Sequence, residues 1–178
     1  DKISQLLTIN FDNFNVEYLS ELIPEQSNCK MRKFENNKPQ KPNVDYGLSA
    51  VRCNLLNTLG MIDLVNAAIF SPDRLIFINF ACNKITNVDE LAQFKSLKII
   101  NLQGNRIKHV NDLQILSNLP LLVNLQLQGN PCCTLINYRL CLLSELKQVK
   151  KLDGNPVTET EKETIDNLKI VGALVAKE

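Results

Sequence analysis

The chain has 178 residues, 44% of them hydrophobic and 22% charged, with a formal net charge of +1. That length fits one globular domain, and the near-neutral balance excludes a global attraction to nucleic acid or acidic membranes. No apolar run reaches membrane-spanning length, no signal peptide stands at the start, and the chain opens on Asp1 rather than Met, which leaves room for residues before it.

Residues 1–24 carry scattered large apolar side chains, among them Leu7, Ile9, Phe11, Phe14, Leu19 and Ile23. Asn15 is placed to cap a short helix with Val16, Leu19 and Ile23 on one face, stopped by Pro24. So apolar a segment reads as a docking arm, either on the rest of the chain or on a partner. Residues 25–45 read as a polar linker with a basic bias from Lys30, Arg32, Lys33, Lys38 and Lys41. It is either a solvated linker or a contact for an acidic surface.

From residue 46 to 157 one phrase recurs. Leu75-Ile-Phe-Ile-Asn-Phe-Ala-Cys-Asn83, Leu97-Lys-Ile-Ile-Asn-Leu-Gln-Gly-Asn105 and Leu122-Val-Asn-Leu-Gln-Leu-Gln-Gly-Asn130 place apolar residues first, fourth and sixth, and Asn ninth. This is the leucine-rich repeat pattern, in which each copy gives a short strand and a returning segment and must stack on its neighbours. A degenerate first copy opens at Leu48-Ser-Ala-Val51-Arg-Cys53, with Leu56 at the expected Asn position. Its return carries a helical stripe, Ile62, Val65, Ala68 and Ile69, ended by Ser71-Pro72. The next returns repeat every third residue, as Val88, Leu91 and Phe94 and as Val110, Leu113, Leu116 and Leu119, which suits 3-10 turns. Asn83, Asn105 and Asn130 form a structural ladder. Their amides supply donors and an acceptor to backbone left unpaired where strands turn out of the stack.

After Pro131 a helix with Leu140, Leu143 and Leu146 on one side leads to a short strand near Leu152. The run Gly129-Asn-Pro131, then Tyr138-Arg139, then Leu152-Asp-Gly154 and Val157 resembles the C-terminal cap of intracellular leucine-rich repeat proteins of the phosphatase-regulator type. Axonemal dynein light chain and spliceosomal ribonucleoprotein subunits share that type. The Phe/Leu-rich arm before a basic linker, the run Ser71-Pro-Asp-Arg-Leu75 and the insertion Asn118-Leu-Pro-Leu-Leu122 resemble the leucine-rich repeat-containing 51 family of ciliated organisms. The likeness spans most of residues 3–168 and weakens where Leu56 replaces the usual Asn. It implies a cytoplasmic, ciliary or axonemal setting. Thr158-Glu-Thr-Glu161 is a capping-box pattern, opening an amphipathic helix over 158–178 with Ile165, Leu168, Val171, Leu174 and Val175 as its stripe. That stripe packs on the repeats or on a partner.

The six cysteines lack the spacing of a secreted flank and read as reduced thiols, with Cys53 and Cys82 at small buried positions. With one His, His109, no metal cluster is expected. No phosphate loop, nucleophile elbow or zinc-protease motif occurs, and the carboxylates are scattered, so neither an enzyme nor a cofactor is expected. The Phe residues stand in no RNA-binding motif.

The expected fold is an α/β, short, curved solenoid with a parallel concave sheet, a helical and 3-10 convex side and a C-terminal cap. Strand alternation then assigns a protein-binding concave face. It comprises Phe77, Asn79 and Ala81, then Ile99, Asn101 and Gln103, then Asn124, Gln126 and Gln128, then Lys151 and Asp153. Phe77 and Ile99 become neighbours among uncharged amides, suited to a helix or loop of a partner, unless the N-terminal arm covers them. The expected partners are other proteins of a large assembly, axonemal by resemblance, with no small-molecule substrate, direct nucleic-acid contact or membrane. Phosphatase regulation and a ribonucleoprotein scaffold are the alternatives.

Overall fold

The structure, a computed structural model, describes residues 6–27, 45–69 and 72–170. The basic stretch 30–41 and the stripe residues Val171, Leu174 and Val175 lie outside the described residues.

Short apolar runs that alternate in and out make the strands. They are β1 (Leu7–Asn10), β2 (Tyr46–Ser49), β3 (Leu75–Asn79), β4 (Ile99–Asn101), β5 (Asn124–Gln126), β6 (Lys151–Leu152) and β7 (Asn155–Pro156). They form one seven-stranded sheet in chain order. β1 to β6 run parallel and β7 returns antiparallel. Sequential, one-way stacking is what repeats of strand plus return produce. The inward positions Leu75, Ile78, Phe80 and Ile85 and their counterparts Leu97, Ile100, Leu102 and Ile107 are fully buried. Burying each such side chain contributes about 1.5–3 kcal/mol.

The returns follow their sequence periods. Helix α1 (Met61–Ala68) buries Val65 and Ala68 of the expected stripe, with Ile69 just past its end, but buries Met61 and Leu64 in place of the expected Ile62. The 3-10 segment Val110–Asn118 buries Val110, Leu113 and Leu116, and Asp89–Gln93 with its flanks buries Val88, Leu91 and Phe94, three apart in each case.

The ladder is longer than the Asn pattern showed. Four residues beyond the paired positions Ile9, Leu48, Ile78, Ile100 and Leu125 stand Asn13, Arg52, Cys82, Gly104 and Gly129, all with positive φ. Each is followed by the inward rung: Phe14, Cys53, Asn83, Asn105, Asn130. Cys53, not Leu56, therefore holds the Asn position of the first repeat. Its thiol donates to the Phe11 carbonyl at 3.0 Å, while its N–H donates to Asn83 Oδ1 at 2.9 Å. Burial pushes the Cys53 thiol above its ordinary value, which keeps it a donor. Leu55, fully buried, is the counterpart of Ile85. Cys82 is also corrected. It lies in the left-handed row rather than the core, and is exposed.

The arm does not open with a helix. Its first described segment is β1, and two 3-10 turns follow, Leu19–Glu21 and Pro24–Gln26. Glu21 accepts the N–H groups of Glu17 and Tyr18, so Asn15 is not the cap; it accepts a bond from Asn54 instead. A three-residue period buries Leu19 and Leu22 and leaves Ile23 51% exposed. Asp12 binds the arm to the first repeat by accepting from the Ser49 hydroxyl at 2.6 Å and the Val51 N–H at 2.7 Å.

At the far end helix α2 (Tyr138–Glu145) covers the last coil, and α3 (Glu159–Ile170) packs on α2 with Ile165 buried. The capping box forms: Glu161 N–H donates to Thr158 Oγ1 and Thr158 N–H to Glu161 Oε2. β6 and β7 form a hairpin through Asp153 and Gly154, at φ 53° and 82°. Two consecutive positive φ values are the type I′ turn that suits a two-residue hairpin. Arg139 ties hairpin to helix, donating to the Leu152 and Pro156 carbonyls and pairing with both oxygens of Glu161 at 2.6 and 3.2 Å. The hydrogen bonds from Arg139 hold the Glu161 carboxyl below its usual value. A depressed folded-state pKa contributes stability above the unfolded value, lost as pH falls through the folded one. Acidification below about pH 4 is therefore expected to loosen α3 before the repeats, seen as faster exchange of its amides. Glu161→Gln should remove that acid step; an unchanged step would show that another carboxylate governs it.

Candidate protein-binding face

Opposite the core, the sheet carries three rows of side chains. The first runs Thr8, Gly47, Phe77, Ile99, Asn124 and Lys151, paired in register across six strands. Phe77 and Ile99 are thus neighbours, both half-buried. Gly47 explains part of the burial of Phe77. A Cβ there would meet Phe77 Cδ1 and Thr8 Oγ1 at 2.9 Å, so the ring lies over the space that Gly47 leaves. Gly47 is a face residue that pattern reading missed; a lone Gly inside the strand Tyr46-Gly-Leu48 is the signal, since it marks close approach.

The second row holds Asn79, Asn101 and Gln126. Asn79 Oδ1 accepts the Ala81 N–H at 3.3 Å, and Asn101 Oδ1 accepts the Gln103 N–H at 3.0 Å. A backbone N–H can only donate, so each amide oxygen must face its own strand and each Nδ2 turns to solvent. In the third row Ala81 is 8% exposed. There Gln103 Nε2 donates to Gln128 Oε1 at 3.0 Å, and Gln128 Nε2 to the Asp153 carbonyl at 2.8 Å. Asn124 Oδ1 is buried without a partner.

The last two predicted residues differ from these. Lys151 is exposed at the end of the first row. The Asp153 carboxylate is engaged inside the cap: Oδ1 accepts the Leu127 and Gln128 N–H groups at 2.6 and 3.1 Å, and Oδ2 accepts the Tyr138 hydroxyl at 2.9 Å. Burial first, then the Asp153 charge, push the Tyr138 hydroxyl above its ordinary pKa, so it stays a donor.

The arm does not lie across Phe77 and Ile99 within the described residues; β1 joins the sheet in plane, beyond Gly47. From Phe77 to Gln128 the face has no ionisable side chain. It can bury apolar surface and donate hydrogen bonds, but it holds no acid, base or nucleophile. No group of three or more His, Cys, Asp or Glu among the described residues could hold a metal ion, and no helix there is long and apolar enough to cross a membrane.

No protein-family model matches the chain. Leucine-rich repeat-containing protein 51 of Macaca mulatta is 27% identical over 154 residues, covering 85% of this chain and 79% of that protein. The Mus musculus protein of the same name is 28% identical over 160 residues, covering 89% and 82%. Cilia- and flagella-associated protein 410 of Mus musculus is 35% identical over 86 residues, 47% of this chain and 34% of that protein. Among solved structures, a chain of the Drosophila melanogaster SNF/U2A′ complex superposes with a TM-score of 0.58 at 18% identity, over 81% of this chain and 86% of that one. That likeness shows the fold: a mostly parallel sheet flanked by short helices and 3-10 turns, arranged as in a leucine-rich repeat protein.

Proposed function

We propose that this chain is a non-enzymatic, protein-binding leucine-rich repeat subunit, acting as a structural or adaptor component of the ciliary axoneme. The observation that carries the binding role is the pair Phe77 and Ile99, side by side on a face of uncharged amides. A solvated face would carry charge, whereas apolar anchors among neutral donors suit a protein partner. In this reading the sheet is the concave side of a short, curved solenoid. The arm over 1–24, the polar linker over 25–45 and the helix over 158–178 are appendages of the repeat domain over 46–157.

The ciliary setting is supported by similarity over most of the chain to leucine-rich repeat-containing protein 51, and over about half of it to a relative named for association with cilia and flagella. The test is the position of a tagged full chain in ciliated cells after detergent extraction. Retention along the axoneme is expected. A nuclear pool would favour the ribonucleoprotein scaffold, a diffuse cytosolic pool bound to a phosphatase the regulatory adaptor, and either would sink the axonemal reading.

A further inference from the structure

Beyond the open face, the edge where strands leave the sheet carries a run of unpaired positive charge. Lys84 and Arg106 each follow a ladder Asn on adjacent coils, held in register as Lys84 N–H donates to the Leu55 carbonyl and Arg106 N–H to Ile85. Adjacent coils stand about 4.8 Å apart. Lys108 lies two residues further along the outer coil, and Arg52 stands beside Cys82 in the left-handed row. Arg52, Arg106 and Lys108 are exposed and Lys84 is half-buried. None of the four side chains makes an ion pair or hydrogen bond among the described residues. Asp89 and Asp112, on the turns that follow, keep their charge but pair with none of the four bases: Asp89 accepts from Asn87, and Asp112 from the His109 N–H. With a whole-chain charge of only +1, four free bases on one edge are a local concentration that the composition hides.

We infer that this edge is the acidic-peptide half of the binding surface, so that the partner segment carries carboxylates beside its apolar anchor. The proposal rests on the open face being the protein-binding site, and adds the direction and charge of what binds there. Along a strand the chemistry changes in order: apolar at Phe77 and Ile99, amide N–H at Asn79 and Asn101, then base at Lys84 and Arg106. The strand rise of about 3.3 Å per residue puts the bases some 13 Å or more from the apolar pair. A segment lying along the strands therefore meets apolar contact at one end and carboxylates at the other. A polypeptide fits this better than a nucleic acid. Seating a phosphodiester chain on Phe77 and Ile99 would desolvate its charge without a partner.

The test uses the full chain with two fluorescent probes of equal length, an oligoglutamate and an oligouridylate. Oligoglutamate is expected to bind, to weaken steeply with added salt, and to lose about tenfold in affinity in Lys84→Glu/Arg106→Glu, as charge-complementary association does. Phe77→Asp/Ile99→Asp should leave oligoglutamate binding within about twofold, since the probe has no apolar anchor and the altered face lies beyond the screening length. The two surfaces thus fail separately. Lys84→Gln/Arg106→Gln, checked for an unchanged unfolding midpoint, guards against a folding defect. Oligoglutamate binding that is absent, or equal in all variants, overturns the proposal. So does binding of the oligouridylate alone.

Discussion

Asn105→Leu is expected to lower the urea midpoint of unfolding by about 0.5–1.5 M, taking a denaturant slope of about 2 kcal/mol per M. Asn105 is 4% exposed. Its Nδ2 donates to the Phe80 and Leu102 carbonyls, each at 2.9 Å, and its Oδ1 accepts the Ile85 N–H at 3.0 Å. Leu fills a similar volume but makes none of these bonds. The Phe80 carbonyl keeps the Asn83 amide and the Leu102 carbonyl keeps the Asn130 amide, so the group left stranded is the Ile85 N–H, at a cost of about 1–3 kcal/mol. Gln126→Leu is the control: its side chain is half-buried and makes no hydrogen bond among the described residues. Equal midpoints for the two variants would show that the rung contributes no more than its volume.

The double change Phe77→Asp with Ile99→Asp should abolish partner capture from an extract of ciliated cells while the fold persists. If a partner buries both side chains, each contributes about 1.5–3 kcal/mol, so losing both lowers affinity by at least about a hundredfold before the charge penalty is added. Because Phe77 lies over Gly47, Phe77→Ala with Ile99→Ala serves as the milder form, with a smaller loss in the same direction. Capture that survives both variants would move the search to the helical side of the stack or to the arm.

The repeats were legible because each one restates itself. Leu75, Ile78, Phe80 and Asn83 recur at fixed offsets, and a shared offset cannot be satisfied by accident in several copies. The outward phase of Phe77 and Ile99 follows from the same alternation. What sequence could not give is what depends on neighbours in space. The first rung carries no Asn to mark it: a buried thiol facing one coil and an Asn83 oxygen facing the other share the task at Cys53. The pairing of β1 with β2 joins residues 7–10 to 46–49 with no local turn between them to announce it. Gly47 gains its meaning only from the ring across it. The Asp153 carboxylate lies in phase with the face residues in sequence, yet the hairpin turn directs it onto the N–H groups of Leu127 and Gln128.

Parallel stacking has no stop of its own. A coil that accepts the next coil of its own chain could equally accept the first coil of another molecule, and such head-to-tail growth makes filaments. All four residues of β2 are buried, so without the arm its edge would be an uncovered template of the kind that recruits foreign strands. Here β1 occupies that edge, pairing with β2 residue for residue. At the opposite edge β7 runs backwards and contains Pro156, which has no N–H to offer a further strand. The two ends therefore act as terminators. They let a repeat architecture suited to polymerisation remain a unit of fixed length, able to occupy one place in a larger array without extending it.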